Sequence, residues 1–159
     1  DQCSYVYREF KDKVLTFKIY QPFSKEQKWI SNNNHSVWEG WSQLPETGDL
    51  LIITSSRKDT MSIVDVAGLN AVALQAESMK PKQHVVQQLK DRFKKVYVLY
   101  DNDFDKPNNP GRILGKKIAS EFNLTQIEIP SKYCCTDFSD LVKKHGKNNA
   151  NKILQKLII

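Results

Sequence analysis

The chain from Asp49 onward alternates short apolar runs with amphipathic segments, and this alternation constrains the fold more than any other feature. Residues 50–54 read LLIIT, a continuous apolar run that is typical of a strand buried on both faces. Further runs at 70–74, 96–100 and 126–129 predict three more strands. Because helical periodicity separates these runs, the order indicates an open, mostly parallel α/β sheet of four strands flanked by helices.

The predicted helices have recognisable ends. Serines stand before the first helix and Gly68 follows it, while Pro81 is expected to open the second. The loop 107–111, which reads PNNPG, leads to a third helix, and a fourth is predicted over 138–145. A last amphipathic helix completes the sequence, so each predicted strand is followed by at least one helix.

Residues 1–48 differ from the rest of the chain, because they are aromatic, basic and rich in turn-forming residues. The runs 14–20 and 28–31 predict short strands. The tryptophans of this region are expected mainly to pack, with stacking on nucleic-acid bases as the alternative. We therefore predict a small β-rich N-terminal subdomain over 1–48 and an α/β domain over 49–159.

The composition limits the cellular compartment and the kinds of binding partner that we expect. The net charge of +6 and the isoelectric point of about 9.2 favour a polyanionic partner such as nucleic acid. The cysteine count is odd and two of the three are adjacent, which fits a reducing compartment, and the absence of a C-x-x-C pair argues against a zinc site within this chain. No apolar run is long enough to span a membrane, so we expect a soluble, cytoplasmic protein.

Polar and charged residues follow each predicted strand, at the edge where the chemistry of α/β sheets gathers. They are Ser55, Ser56, Arg57, Lys58 and Asp59 after the first strand, Glu77 after the second, Asp101, Asp103 and Asp105 after the third, and Lys132, Asp137 and Asp140 after the fourth. Carboxylates this close together are tolerated when a hard divalent cation such as Mg²⁺ neutralises them. The neighbouring cations and hydroxyls would suit phosphate groups.

The D-x-D-x-D run that begins at Asp101 has several interpretations. A calcium EF-hand loop fails, because Lys106 and Arg112 occupy the places of its required Gly and Glu, and a strand precedes the run. A phosphatase of the haloacid dehalogenase type usually has Thr or Val where Asp105 stands, and its motif lies on the first strand. A glycosyltransferase D-x-D remains open on spacing alone. Asp137 and the acid three residues after it could simply cap a helix.

The ordered set of motifs over about residues 49–146 resembles the Toprim domain of bacterial-type and phage primases. The resemblance rests on SSRKD at 55–59, on DND at 101–103 with Gly111 beyond it, and on DFSDL at 137–141. It implies a four-stranded parallel sheet and nucleotidyl transfer with Mg²⁺ or Mn²⁺.

Carried over by the resemblance, Asp101 and Asp103 would be the metal-binding pair, and Asp137 and Asp140 would be further acids near the metal. Asp59 matches the aspartate of the family's first motif.

The chain departs from the family at Ser55, where the first motif has a glutamate. A serine hydroxyl cannot replace a carboxylate as a base near neutral pH. Glu77 is the first candidate to supply the missing carboxylate and Asp105 the second. Some phage primase-like sequences are similar in having Ser-x-Lys-Asp here, which makes Lys58 a candidate phosphate contact.

The resemblance implies the catalytic portion of a DNA primase, which joins ribonucleoside triphosphates into RNA primers on a single-stranded DNA template during replication. A replicative helicase and a zinc-binding module would lie outside this fragment, and a phage-encoded protein would work in the cytoplasm of its bacterial host. Two alternatives stay open. One is a degenerate, non-catalytic Toprim module that binds nucleic acid or serves as a scaffold, and the other is a Toprim nuclease.

Overall fold

Two β-sheets organise the chain in the computed structural model, which describes residues 3–76 and 79–158. The strands are β1 (Tyr5–Lys11), β2 (Val14–Tyr20), β3 (Trp29–Ser31), β4 (Gly48–Thr54), β5 (Asn70–Ala73), β6 (Phe93–Leu99) and β7 (Thr125–Gln126). The helices are α1 (Arg57–Ala67), α2 (Gln83–Arg92), α3 (Pro110–Phe122), α4 (Phe138–His145) and α5 (Lys147–Leu157). No helix in these described ranges is long and apolar enough to cross a membrane.

The predicted α/β architecture is confirmed. The second sheet has the strand order β5-β4-β6-β7, and all its pairs are parallel. Side chains of the central strand β4 alternate between two cores, with Leu51 and Ile53 in one and Ile52 in the other, and all three are fully buried. The first core packs under α2 and α3, and the second lies under α1, α4 and α5. The sheet is therefore covered on both faces, as the run LLIIT predicted.

The boundaries of several elements differ from the prediction, among them those of β6, β7 and α3, and α2 begins at Gln83 and not at Pro81. Strand β6 follows α2 without a loop and begins at Phe93, because its first residues pair with Gly48 and Leu50 of β4. Strand β7 forms a ladder over only two residues, although the predicted run beyond it is still largely buried. Helix α3 starts inside the predicted loop, with Asn109 as its N-cap and proline in its first turn.

The first sheet is antiparallel, in the order β1-β2-β3, and strand β1 was not predicted. The burial pattern of β1 is the reverse of that of an ordinary half-buried strand, whose apolar side chains are buried and whose charged ones are exposed. Glu9 and Lys11 are buried, while Val6 and Phe10 are more than half exposed. A two-residue turn formed by Asp12 and Lys13, both with positive φ, joins β1 to β2.

The segment that leaves the first sheet packs against the second. The side chain of Trp38 is buried in the core beneath α2 and α3. Glu39 forms an antiparallel bridge with Ala73, so this segment extends the β5 edge. Gly40 follows with φ of 85°, and a Cβ there would lie 2.8 Å from the Ala71 carbonyl oxygen, so only glycine fits. The division of the chain at residue 48 remains a prediction.

Candidate functional site

Three aspartates converge at the carboxyl-terminal edge of the parallel sheet. Asp59 lies in the first turn of α1, Asp101 follows strand β6, and Asp137 stands immediately before α4. One carboxylate oxygen from each lies within 4.8 Å of the others. The parallel order of the strands brings these three segments to one edge although they are far apart in sequence.

Asp59 is the most buried acid of this trio, with 3% of its surface exposed. Its Oδ1 accepts hydrogen bonds from the backbone N–H and the hydroxyl of Ser139, at 2.9 and 2.8 Å, and its Oδ2 accepts one from the Ser56 hydroxyl at 2.6 Å. Burial, followed by the negative charge of Asp137, nevertheless raises the pKa of Asp59 to about 6. The charged form of this carboxylate is therefore held at a cost in the metal-free protein.

Asp137 has two roles in the structure. One oxygen accepts the backbone N–H of Asp140 at 2.7 Å, which makes Asp137 the N-cap of α4. The other oxygen accepts the Lys58 ammonium at 2.8 Å. Partial burial of Lys58 lowers its pKa, but the carboxylate of Asp137 outweighs this and leaves it raised. Helix capping uses one oxygen only, so it does not prevent the other from facing Asp59 and Asp101.

Ser55, where the resemblance predicts a glutamate, donates a hydrogen bond from its hydroxyl to Asp101 Oδ1 at 2.5 Å. The serine side chain is buried between the ends of β4 and β6. It therefore orients a carboxylate of the trio but adds no carboxylate of its own.

Asp103 and Asp105 lie on the loop beyond Asp101, outside the trio. Asp103 is buried, and its oxygens accept the Lys106 ammonium at 2.6 Å and the backbone N–H of Gly111 at 3.0 Å. The Lys106 ammonium lowers the pKa of Asp103 below its usual range. In this structure Asp103 fastens the loop to the start of α3, whereas Asp105 is exposed.

The metal roles of Asp103, Asp105 and Asp140 stay predictions. Asp140 accepts the Thr136 hydroxyl at 3.0 Å. Glu77, the predicted replacement for the absent glutamate, lies outside the described residues, so its role also stays a prediction.

Gly111 allows α3 to begin directly against the end of β6. A Cβ at this position would lie 2.6 Å from the carbonyl oxygen of Asp101 and 2.9 Å from Oδ2 of Asp103. Any larger residue would therefore displace the segment that presents Asp101.

A cleft of about 390 Å³ opens beside the trio, between the two sheets. Its lining combines the N-terminal sheet with the strand-end residues: Tyr7, Lys18, Tyr20, Trp29, Ser55, Ser56, Arg57, Lys58, Asp101 and Asp137. Four of the five predicted phosphate contacts thus share one cleft. Lys132 is not among these lining residues, and its ammonium lies 5.2 Å from the centre of the Tyr133 ring.

Arg57 joins the two walls of the cleft. Its guanidinium forms an ion pair with the buried carboxylate of Glu9 on β1. Glu9 also accepts the backbone N–H of Gly40 at 2.8 Å and the Ser42 hydroxyl at 2.9 Å. The sequence did not reveal Glu9, because the alternation of apolar and polar residues along β1 predicts an exposed position for this acid. It also missed Ser139, although that residue lies within the DFSDL motif.

Comparison with solved structures shows that the fold is that of primase catalytic domains. The chain superposes on the primase domain in a bacteriophage T7 lagging-strand DNA polymerase complex, bound to an RNA/DNA hybrid and dTTP, with a TM-score of 0.70 and 13% identity. That match covers 98% of this chain and 77% of the other.

Two DnaG structures match in the same way. The DnaG primase catalytic domain bound to single-stranded DNA has a TM-score of 0.68 and 17% identity over 90% of this chain. The RNA polymerase domain of Mycobacterium tuberculosis DnaG, in complex with double-stranded DNA, has a TM-score of 0.63 and 13% identity over 95% of this chain. The chain spans 47% and 52% of these two structures, about half of each. No family model matches the sequence, and no curated protein does.

Proposed function

We propose that this chain is the Toprim-containing catalytic part of a DNA primase, which synthesises RNA primers on single-stranded DNA with Mg²⁺ or Mn²⁺. The observation that carries the proposal is the trio Asp59, Asp101 and Asp137, which meets beside a cleft lined by cations. The similarity of the fold to primase domains supports the choice of reaction.

The trio fits a small divalent cation. Ligand oxygens about 2.1 Å from Mg²⁺ are at most about 4.2 Å apart, when they lie on opposite sides of the ion. The three oxygens lie within 4.8 Å of one another, so side-chain movements of less than an ångström would complete such a site. The raised pKa of Asp59 also supports a cation site, since a divalent cation would offset the negative charge that burial disfavours.

When bound, the metal would activate the attacking 3′ hydroxyl and offset the charge of the leaving pyrophosphate. The chain's own residues prepare the site for this. Ser55 holds Asp101 in position, and Ser139 and Ser56 hold Asp59. Lys58 is more than half exposed at the cleft, where its ammonium can exchange Asp137 for a substrate phosphate.

The partners follow from the same proposal. The substrates would be ribonucleoside triphosphates and a single-stranded DNA template, whose phosphates the basic surface would attract. A replicative helicase and a zinc-binding module would act with the chain, in the cytoplasm of the bacterial host if the protein is phage-encoded.

A second candidate function is a non-catalytic module that binds nucleic acid. The hydrogen bond from Ser55 to Asp101 favours this candidate. A residue that supplies a carboxylate in the family here only orients Asp101, so the site lacks that base.

Template-directed dinucleotide synthesis with Mg²⁺ on single-stranded DNA separates the two candidates. Asp101→Asn keeps the shape of the side chain but removes a ligand charge, and we expect a loss of at least about 100-fold, or about 2.7 kcal/mol of barrier. Asp65→Asn, which removes an exposed acid on the outer side of α1, should change synthesis little.

Equal synthesis by wild type and Asp101→Asn would contradict the proposal. Wild-type inactivity, even with the zinc module and helicase supplied, would favour the non-catalytic candidate. Cleavage of labelled DNA or RNA without added nucleotides would reveal the nuclease instead.

A further inference from the structure

Three aromatic rings form a stack across the first sheet. Tyr5, Tyr20 and Trp29 face each other in register on β1, β2 and β3. The rings of Tyr5 and Tyr20 have centroids 6.3 Å apart, and those of Tyr20 and Trp29 are 4.4 Å apart, with planes inclined by only 25° and 23°. The same face of the sheet forms one wall of the cleft beside the aspartate trio.

Trp29 is the last ring of this stack and lies on an edge strand, with 47% of its surface exposed. Packing explains Trp38, which is 1% exposed, but it does not explain a large aromatic ring left half open inside a cleft. An exposed indole at the end of a stack is suited to accept one further flat ring, because aromatic faces attract each other in offset stacks.

Lys18 provides a fixed positive charge over the ring. Its ammonium lies 4.6 Å from the centre of the Trp29 ring. It also contacts the Glu39 carboxylate at 3.3 Å and the Gln75 carbonyl oxygen at 3.0 Å, and its side chain is 20% exposed. A ring and an anchored cation therefore face the same cleft as Lys58 and the acids, an arrangement that suits a flat base joined to phosphate.

We propose that Trp29 is a stacking platform for an unpaired nucleobase held in this cleft, with its phosphate directed toward Lys18 and Lys58. The inference rests on the proposed function, since it places that function's substrate in the cleft beside the trio. The base could belong to a single-stranded DNA template or to a ribonucleoside triphosphate, and the two sources are separated by the probes below.

The test measures binding by the 159-residue chain without synthesis. One probe is a labelled oligo(dT) strand of about twelve nucleotides, and a second is an abasic strand of the same length, which has phosphates but no bases. A third probe is ATP with Mg²⁺. The variants are Trp29→Ala, Trp29→Leu, which stays apolar without a π face, and Trp29→Phe, which restores an aromatic ring. Phe23→Ala is the control, because Phe23 is an exposed aromatic residue of the same subdomain that does not line the cleft.

We expect Trp29→Ala and Trp29→Leu to weaken binding of oligo(dT), ATP or both by about 5- to 150-fold, with partial recovery in Trp29→Phe. Weaker oligo(dT) binding alone would assign the base to the template strand, and weaker ATP binding alone would assign it to the nucleotide. Affinity for the abasic strand and the salt dependence should not change, because the ring contacts no phosphate.

Equal binding of oligo(dT) and ATP by wild type and Trp29→Ala would overturn the inference, as would equal losses on the abasic strand. The inference would also be overturned if the wild type bound neither oligo(dT) nor ATP. The outcome is independent of primer synthesis: stacking at Trp29 in a chain that makes no primers would contradict the proposed catalysis but keep this inference.

Discussion

The buried carboxylate of Asp59 should make the metal-free protein less stable at alkaline pH, and Asp59→Asn should relieve this. Asparagine has the same shape, and its side-chain oxygen can still accept the two hydrogen bonds from Ser139. Its amide group can donate to the Ser56 hydroxyl, which now donates to Asp59. The substitution therefore removes the charge and keeps the contacts.

The magnitude follows from the pKa. The pKa of Asp59 is about 6 in the folded chain, against an ordinary value of 3.8. Because the folded state holds the proton more tightly than the unfolded state, the free energy of unfolding falls as pH rises from about 4 to above 6. The full loss is about 3 kcal/mol, of which about 2 kcal/mol should appear between about pH 4.5 and pH 8.

Urea unfolding in the presence of a chelator measures this directly. Relative to wild type, Asp59→Asn should gain about 2 kcal/mol more stability at about pH 8 than at about pH 4.5. Asp65→Asn is the matched control on the same helix, since Asp65 is exposed and paired with Lys147. Its effect should be small and nearly independent of pH.

Mg²⁺ should narrow the difference in stability between wild type and Asp59→Asn. At ten times its dissociation constant, a ligand that binds only the folded state adds about 1.4 kcal/mol, and we expect this gain in wild type but not in Asp59→Asn. A pH-independent difference between wild type and Asp59→Asn would refute the reasoning. So would a variant that is less stable than wild type at about pH 8 in the chelator, because the hydrogen bonds would then favour the charged carboxylate.

Three further outcomes are expected. Gly111→Ala should destabilise the fold by about 1–3 kcal/mol and weaken Mg²⁺ binding, because the new methyl group would overlap Asp101, and normal values in unfolding and metal titration would contradict this. Lys106→Met should raise the pKa of Asp103 and slightly lower stability near neutral pH. This loss should vanish once acid protonates the Asp103 carboxyl, which a pH series of unfolding curves would show. Glu77→Gln should strongly reduce metal-dependent synthesis if Glu77 replaces the carboxylate absent at residue 55, and equal rates in wild type and variant would dispose of that idea.

The α/β sheet could be predicted because its signals are local. The run at 50–54 begins with four apolar residues and is buried on both faces, and serines and Gly68 mark the ends of α1 as capping preferences predict. Strand β1 could not be predicted in this way, since the neighbouring parts of the fold, and not the strand's own periodicity, make Glu9 the buried residue and Phe10 the exposed one.

The candidate site was predictable as a set of acids but not as a geometry. Parallel strands bring Asp101 and Asp137 to one edge, which the order of elements alone implies. The orientation of Asp103 depends on Lys106 and on the close approach of Gly111, and neither contact leaves a trace in the spacing of the aspartates. The aromatic wall of the cleft comes from a separate sheet, whose placement depends on long-range contacts.

The burial of Trp38 has a consequence for how the molecule unfolds. Trp38 precedes β4 in the sequence, yet its indole lies in the same core as Leu51 and Val72 of the parallel sheet. The N-terminal region as a whole, residues 1–48, cannot detach without opening that core and exposing a large apolar side chain to water. We therefore expect both sheets to melt in one cooperative transition, and a polypeptide that begins at residue 49 to lack a part of its own interior.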